Sequence, residues 1–286
     1  MKTNYYLSLN SDGLHRLSYS EWGTPNDKPF ICVHGLGRNG RDFDRLANYL
    51  SQEGAWVICP DIAGCGLSDW LKNPADYCFN QYLHDLLALM ARLNANHVNW
   101  LGTSIGGLLG LRLASQANSP IERLILNDIG PDITHDGLKR LQLTLAKNEL
   151  RFASLDLAER YFRRTLSGFG ALSNHQWRHL TKCSIKPTAS GAYTLRSDPR
   201  ISIPDLKPEE QPCLWTAWQK MRCPSLVVHG ETSDILLNDS LINMQRAQPR
   251  LSLLEIPEVG HAPFLSSDHE MAFIQQWLNT PLSVLS

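Results

Sequence analysis

Short apolar runs alternate with amphipathic runs along most of the chain. The apolar runs have the length and composition of strands, and they cover residues 5–9, 14–22, 30–33, 56–59, 97–101, 121–126, 226–228 and 251–256. Between them, apolar residues recur at helical spacing over residues 42–50, 79–93, 238–245 and 270–278. This order of elements predicts an α/β fold, in which helices flank a mostly parallel sheet.

The alternation breaks between residues 132 and 210. This segment is polar and mostly helical in pattern, with predicted helices over residues 155–166 and 174–182. The run Ile203-Pro204-Asp205 is typical of a loop near its end. The pattern predicts an insertion after the sixth strand, and the strand and helix alternation resumes beyond it.

One short motif lies between a predicted strand and a predicted helix. Gly102-Thr103-Ser104-Ile105-Gly106 follows the strand over residues 97–101 and precedes a helix over residues 108–114. A Gly-x-Ser-x-Gly at such a junction is typical of a nucleophile elbow, whose glycines let the strand and helix approach closely. Ser104 is therefore the candidate nucleophile.

A serine hydroxyl needs a general base and an acid that orients the base. His261 follows the strand over residues 251–256 and is the candidate base. Asp234 follows the strand over residues 226–228 and is the candidate acid. Glu231 lies in the same loop, and Asp128 ends another strand at the same sheet edge, so both remain alternatives to Asp234.

The oxyanion of a tetrahedral intermediate needs two backbone donors. Ile105 directly follows the nucleophile, and its amide is the first candidate. Leu36 is the second, because it lies in the loop His34-Gly35-Leu36-Gly37 after the strand over residues 30–33. That loop lacks the glycine spacing of a phosphate-binding or dinucleotide-binding motif.

Composition narrows the functional classes. The 286 residues carry a net charge of -1, which gives no electrostatic basis for binding nucleic acid or an anionic membrane. Seven cysteines without a Cys-x-x-Cys pair do not suggest a zinc or redox motif, and His175 and His179 lack an evident third ligand. We expect no metal and no cofactor. No secretory signal or membrane span is visible, so the cytoplasm is the expected location.

Taken together, these motifs resemble those of the α/β-hydrolase superfamily. They are the loop at residues 34–37, the elbow at residues 102–107, the loop from Gly230 to Asp234 and Gly260-His261, with a further glycine-rich run at residues 60–69. The resemblance implies an eight-stranded, mostly parallel sheet with one antiparallel strand near the start. It also implies a core over residues 1–131 and 211–286, with residues 132–210 as a helical cap over the site.

The resemblance also implies a reaction class. Members that open epoxides or remove halide carry Asp at the elbow, so Ser104 favours cleavage of a small carboxylic ester, lactone or thioester through an acyl-enzyme. A carbon–carbon bond hydrolase acting on a ring-cleavage-type diketo acid is the alternative, although Thr103 stands where those enzymes typically carry Asn. An acyltransferase or a ligand receptor on the same scaffold also remains open.

Candidate substrate contacts come from the loop after the third strand, the inserted segment and its neighbours. Arg38 could anchor a substrate carboxylate, or it could pair with Asp42 or Asp44. Aromatic residues that could line an apolar acyl pocket are Phe162, Trp177, Tyr193, Trp215 and Phe264. The expected partner is a small-molecule substrate, and the sequence does not distinguish a monomer from a homodimer.

Overall fold

An eight-stranded sheet forms the centre of the molecule. The computed structural model describes residues 1–145, 150–202 and 211–285. The sheet has the order β1-β2-β4-β3-β5-β6-β10-β11. Its strands are β1 (Lys2–Asn10), β2 (Gly13–Trp22), β3 (Phe30–Val33), β4 (Val57–Pro60), β5 (Val98–Thr103), β6 (Ile121–Asn127), β10 (Ser225–Gly230) and β11 (Ser252–Ile256). The predicted α/β fold is confirmed.

Strand direction follows the predicted pattern. Strand β2 runs antiparallel to both of its neighbours, β1 and β4, and every other pair in the sheet is parallel. Asn10 pairs with Gly13, so Ser11 and Asp12 form a two-residue hairpin turn. Because β5 and β6 are parallel neighbours with Thr103 opposite Asn127, the residues that follow them leave the sheet side by side.

Helices cover both faces of the sheet. They are α1 (Asp44–Gln52), α2 (Phe79–Leu93), α3 (Ile105–Ala114), α4 (His135–Leu145), α5 (Leu155–Thr165), α6 (Asn174–Ser184), α7 (Gln211–Lys220), α8 (Asn238–Ala247), α9 (Asp268–Asn279) and α10 (Leu282–Leu285). Along β3, Ile31 and Val33 pack into one apolar layer with residues of α2 and α3, whereas Phe30 and Cys32 pack into another with α1 and α9. Burial on both faces explains why β3 and β4 are continuously apolar. None of the described helices is long and apolar enough to cross a membrane.

The inserted segment, residues 132–210, contains strands as well as the helices that its sequence predicts. Strands β7 (Arg151–Phe152), β8 (Ile185–Pro187) and β9 (Tyr193–Leu195) form a separate antiparallel sheet of order β7-β9-β8. The chain reverses between β8 and β9 in a turn where Thr188 donates its amide to Ala192 and Gly191 has φ +80°. These strands are too short for a periodic signal. The predicted loop at residues 203–205 and the segment's end at residue 210 lie outside the described residues.

An ion pair joins the inserted segment to the sheet's flanking helices. His179 of α6 donates from Nε2 to Asp44 Oδ2 of α1 at 2.7 Å. The hydrogen bond to Asp44, with a smaller contribution from Cys183, raises the pKa of His179 to about 10. This pair therefore holds α6 against α1 as long as the imidazole is protonated.

The His179–Asp44 pair predicts a pH-dependent stability. Because the pKa in the folded state lies above the ordinary value of 6.5, the stabilisation is complete below pH 6.5 and is lost as the pH rises through about 10. We expect the difference in urea midpoint between the wild type and His179→Gln to be largest in the acid range and to vanish in the alkaline range. His175→Gln, one turn earlier on α6, is the control, and its difference should not follow this profile. A His179→Gln difference that is independent of pH would contradict the prediction.

Candidate active site

Ser104 lies at a sharp turn between β5 and α3. Its φ of 52° and ψ of -117° are outside the regions that non-glycine residues normally occupy. The strained backbone is fixed from both sides, since the Ser104 amide donates to Asn127 and the Ser104 carbonyl accepts from Gly107. The turn thereby has the geometry of the predicted elbow.

Glycines let the elbow close. A Cβ built on Gly102 would lie 2.1 Å from the backbone carbonyl of Gly106, and one on Gly106 would lie 2.2 Å from the carbonyl oxygen of Val33. The buried indole of Trp100 donates to the Gly106 carbonyl at 3.0 Å and holds the first turn of α3 against β5. Strand β5, helix α3 and strand β3 therefore meet at distances that only glycine permits.

This close approach predicts a large loss of stability for Gly102→Ala. The added methyl group meets backbone rather than a movable side chain, so we expect a cost of at least about 3 kcal/mol in the free energy of unfolding. Gly260→Ala is the matched control, because its Cβ would meet nothing closer than 3.5 Å. Urea unfolding of both variants measures the difference, and equal midpoints for the two would contradict this description of the elbow.

The imidazole of His261 is hydrogen-bonded to Asp128. Because a carboxylate only accepts, Nδ1–H of His261 donates to Asp128 Oδ2, at 2.8 Å. The Asp128 side chain is completely buried, and it also accepts from the Gly230 amide at 2.9 Å and from Ser233 Oγ at 2.6 Å. With its proton on Nδ1, the ring keeps Nε2 as its basic nitrogen. This is the tautomer that a general base toward a serine requires.

The hydrogen-bond partner of His261 in the structure is Asp128, and not Asp234 as the sequence analysis favoured. Asp234 is 44% exposed, and both of its carboxylate oxygens accept from Arg140 of α4. Arg140, with a smaller contribution from His261, holds the pKa of Asp234 below its usual value. Glu231 is also turned away from the imidazole, since its carboxylate accepts from the Glu258 amide. The loop after β10 reaches Asp128 through Ser233, one residue before Asp234.

Position in the sheet explains why Asp128 can reach His261. Asp128 directly follows β6, the neighbour of β5, and its amide donates to Val228 of β10 at 2.8 Å. Its φ of 54° turns the chain sharply at that point. The sequence signal was present, because Asp128 ends an apolar strand at the edge where Ser104 lies. The contribution of Ser233 was missed, since nothing local distinguishes its hydroxyl from others in a loop.

Two backbone amides near Ser104 are available as donors. Leu36 and Ile105 both line the cavity that contains Ser104. Within the described part of the chain, neither amide donates a hydrogen bond to another protein group. Ile105 is the first residue of α3, where amides have no partner inside the helix and the helix dipole favours negative charge. Both residues therefore bring a backbone N–H without a described protein partner to the cavity that contains Ser104.

A buried histidine supports the loop that carries Leu36. The Ile62 amide donates to His34 Nε2 at 3.1 Å, so Nδ1 carries the proton and donates to the Gly35 carbonyl at 2.7 Å. Burial is the largest effect on this ring and lowers the pKa of His34, which keeps the imidazole neutral. Both ring nitrogens of His34 are thus bonded to the backbone, one to Gly35 in this loop and one to Ile62.

A cavity of about 770 Å³ opens above Ser104 and His261. The inserted segment supplies part of its wall, through Tyr161, Phe162 and Phe169 among others. Arg38 also lines the cavity, as the sequence predicts, and Phe162 is the one aromatic candidate that does so. Tyr161 and Phe169 were missed, because helical spacing alone does not distinguish a cavity wall from a core.

The other predicted aromatic contacts lie elsewhere. Trp177, Tyr193 and Phe264 belong to the small apolar cluster that holds the inserted segment together. Trp215 donates its indole N–H to Asp132 at 2.6 Å and packs against the main core. None of these four is part of the cavity wall. Their large apolar surfaces are used for packing, which is the commoner use of aromatic side chains.

One group of donor atoms has the spacing of a metal site. Asp44, His179 and Cys183 have ligand atoms within 4.8 Å of one another. Asp44 also accepts three hydrogen bonds from Arg41, which places a guanidinium where a cation would bind. Because His179 is protonated in this arrangement, we interpret the group as the ion pair described above.

The chain is similar to known proteins both in sequence and in structure. The model of the alpha/beta hydrolase fold matches residues 28–268. The chain is 38% identical to a 3-hydroxybutyrate-oligomer hydrolase of Cupriavidus necator, over 96% of this chain and 97% of that protein. A putative hydrolase from Rickettsia typhi superposes with a TM-score of 0.89 at 32% identity, covering 98% of this chain and all of that one. An alpha/beta hydrolase from Novosphingobium aromaticivorans gives 0.85 at 30% identity, with 97% of each chain covered.

Proposed function

The chain belongs to the alpha/beta hydrolase fold family, and we propose that it is a serine hydrolase of short carboxylic esters that uses Ser104, His261 and Asp128. One observation carries the proposal. The hydrogen bond from His261 to the buried Asp128 prepares a basic Nε2 in the same cavity as Ser104 and the two available amides. This set of groups matches the requirements of acyl transfer to water.

The proposed mechanism has two steps. His261 Nε2 takes the proton of Ser104 as the hydroxyl oxygen attacks the ester carbonyl, and the amides of Leu36 and Ile105 stabilise the oxyanion. The alcohol leaves with the proton from His261, which produces an acyl-enzyme. Water then attacks the acyl-enzyme with His261 again as base, the bond between the acyl group and Ser104 Oγ breaks, His261 returns the proton to Ser104 and the carboxylic acid leaves. Asp128 stabilises the imidazolium that forms in each step.

The inserted segment supports a further part of the proposal. It contributes Tyr161, Phe162 and Phe169 to the wall above Ser104, and the ion pair of His179 with Asp44 attaches it to the rest of the molecule. We assign it the role of a cap that shields the acyl-enzyme and supplies apolar surface for the substrate. We place its bounds at residues 132 and 210, between which the alternation of strands and helices is interrupted.

The substrate class is proposed from the relative that matches nearly the whole chain. Its name describes a hydrolase of 3-hydroxybutyrate oligomers, which are linear esters with short units. The experiment is hydrolysis of the linear 3-hydroxybutyrate dimer and of p-nitrophenyl esters from acetate to decanoate, with product acid measured chromatographically. We expect the release of 3-hydroxybutyrate and of short acyl groups. A folded protein that releases acid from none of these esters would contradict the proposed function.

A further inference from the structure

Arg38 lies in the catalytic cavity, two residues beyond the candidate oxyanion donor Leu36. Only 9% of its surface is exposed, and what remains faces the cavity that it lines. Its guanidinium lies 5.6 Å from the ring centre of Phe162 and 5.9 Å from that of Phe169. The aromatic rings and the loop hold the cation in a nearly dry position close to the reacting groups.

Asp42 binds only part of the Arg38 guanidinium. Nε donates to Asp42 Oδ2 at 2.8 Å and Nη2 donates to Asp42 Oδ1 at 2.5 Å. Among the described residues, Nη1 has no hydrogen-bond partner, and it is not sealed off from solvent. Because Nη1 is an accessible charged donor without a protein partner, and Arg38 lines the cavity, it is available to a ligand that accepts a hydrogen bond there.

Arginines outnumber carboxylates in the described part of the cavity wall. It contains four arginines and one carboxylate, namely Arg38, Arg112, Arg140, Arg151 and Asp198, and the aspartates that pair with Arg38 and Arg140 lie outside the wall. Asp198 is already bound by Arg200 and Tyr77. Arg112, Arg140 and Arg151 are exposed, whereas Arg38 is buried beside the oxyanion loop. Charge-assisted bonds are strongest where water is excluded, so Arg38 is the anchor among the four.

We propose that Arg38 binds a free carboxylate of the substrate, so that the preferred substrates are esters of hydroxy acids that keep their acid end unesterified. The inference rests on the proposed function and adds to it the part of the substrate that is recognised. Nη1 donates to the carboxylate while Asp42 keeps the guanidinium plane fixed. The carboxylate lies a few bonds from the scissile ester, as it does in the terminal unit of a hydroxyalkanoate oligomer.

The test compares two substrates that differ only at the acid end, which is a charged carboxylate in one and a neutral carboxamide in the other. In 3-(butanoyloxy)butanoate and 3-(butanoyloxy)butanamide the same ester is cleaved, and butanoate release is measured for both. We expect kcat/KM of the wild type to be about 10- to 100-fold higher for the acid, as one charge-assisted hydrogen bond would give. A wild type that cleaves both equally would overturn the proposal and leave the proposed function standing. A wild type that cleaves neither substrate, nor p-nitrophenyl butanoate, would overturn both.

Two variants test whether Arg38 causes the preference for the acid over the amide. Arg38→Gln should cleave the acid and the amide within about threefold of each other, and this loss of preference is the readout, whatever rate the variant retains toward p-nitrophenyl butanoate. Arg41→Gln is the matched control, because Arg41 pairs with Asp44 in the same loop but is absent from the cavity wall. It should retain the wild-type preference.

A structural role of Arg38 predicts a different result. If the Arg38–Asp42 pair only stabilises the loop, Arg38→Gln lowers all three activities by the same factor and the ratio of acid to amide stays as in the wild type, which would overturn the proposal. Should Arg38→Gln fail to fold, Arg38→Lys keeps the positive charge without the fork of donors. An unchanged ratio in Arg38→Lys at unchanged p-nitrophenyl butanoate hydrolysis would overturn the role of Nη1, and a ratio lowered several-fold would support it.

Discussion

Asp128→Asn is expected to lower kcat for ester hydrolysis by about a thousandfold to ten-thousandfold, whereas Asp234→Asn leaves it within about threefold. Asparagine fills the same space, but it does not stabilise the imidazolium of His261, and its amide can hold the ring in the wrong tautomer. Asp234 has no hydrogen bond to the imidazole, and it is partly exposed and paired with Arg140. Steady-state hydrolysis of p-nitrophenyl butanoate by both variants measures the difference.

The two aspartates serve as controls for each other. Both follow strands at the same edge of the sheet, and both carboxylates are paired in the folded protein. Thermal unfolding shows whether Asp128→Asn is folded at the assay temperature, which matters because Asp128 also accepts from Gly230 and Ser233. A large loss of activity in Asp234→Asn, with Asp128→Asn near the wild type, would restore the assignment that the sequence favoured.

Ser104→Ala is expected to reduce hydrolysis of the same ester by at least about a thousandfold. Removal of the hydroxyl leaves His261 and the amides of Leu36 and Ile105 in place, so the variant keeps the binding site and loses the acyl-enzyme route. The side chain has no hydrogen bond within the described protein that the fold would lose, so we expect the stability to be nearly unchanged.

A second serine on the same helix is the control for Ser104. Ser115 follows the last turn of α3, and its exposed hydroxyl donates to the Arg112 carbonyl and accepts from the Gln116 side chain. Ser115→Ala should therefore retain the activity of the wild type. Turnover by Ser104→Ala at the wild-type rate would exclude Ser104 as the nucleophile.

Local sequence signals were sufficient to predict the central sheet and the elbow at Ser104. Strand β3 is apolar at every position, and β5 contributes Val98, Trp100 and Leu101 to the packed layers. The close approach at the turn requires Gly102 and Gly106. The apolar runs and the Gly-x-Ser-x-Gly motif are each local in the chain, although the contact that requires glycine at position 106 is with the distant Val33. A pattern along the sequence therefore predicts them.

The choice between Asp128 and Asp234 depends on contacts between distant parts of the chain. Asp234 follows a strand and lies in a loop near the site, as expected, but the pairing with Arg140 of α4 holds its side chain elsewhere. Asp128 reaches His261 because β6 pairs with β5, although the paired residues Thr103 and Asn127 are 24 positions apart in the sequence. Its carboxylate also accepts a hydrogen bond from Ser233, more than a hundred positions further along the chain. The pattern of apolar and polar residues along the chain does not contain this information.

The cavity wall was the least predictable part of the site. Phe162 and Trp177 lie on helices of the inserted segment and both belong to its small apolar core, yet only Phe162 also lines the cavity. Which face of a helix meets a cavity depends on the packing of α5 against α6 and on the strands β7 to β9. The strands are two or three residues long and leave no periodic trace.

The most direct test of the serine mechanism is covalent labelling with a fluorophosphonate, which phosphonylates an activated serine. Labelled protein is digested and the modified peptide is sequenced by mass spectrometry, while residual hydrolysis of p-nitrophenyl butanoate is followed in parallel. We expect one adduct per chain, on Ser104, formed in proportion to the loss of activity and absent from Ser104→Ala. Full activity of a chain labelled on Ser104, or inactivation by an adduct on another residue, would contradict the assignment of Ser104 as the nucleophile.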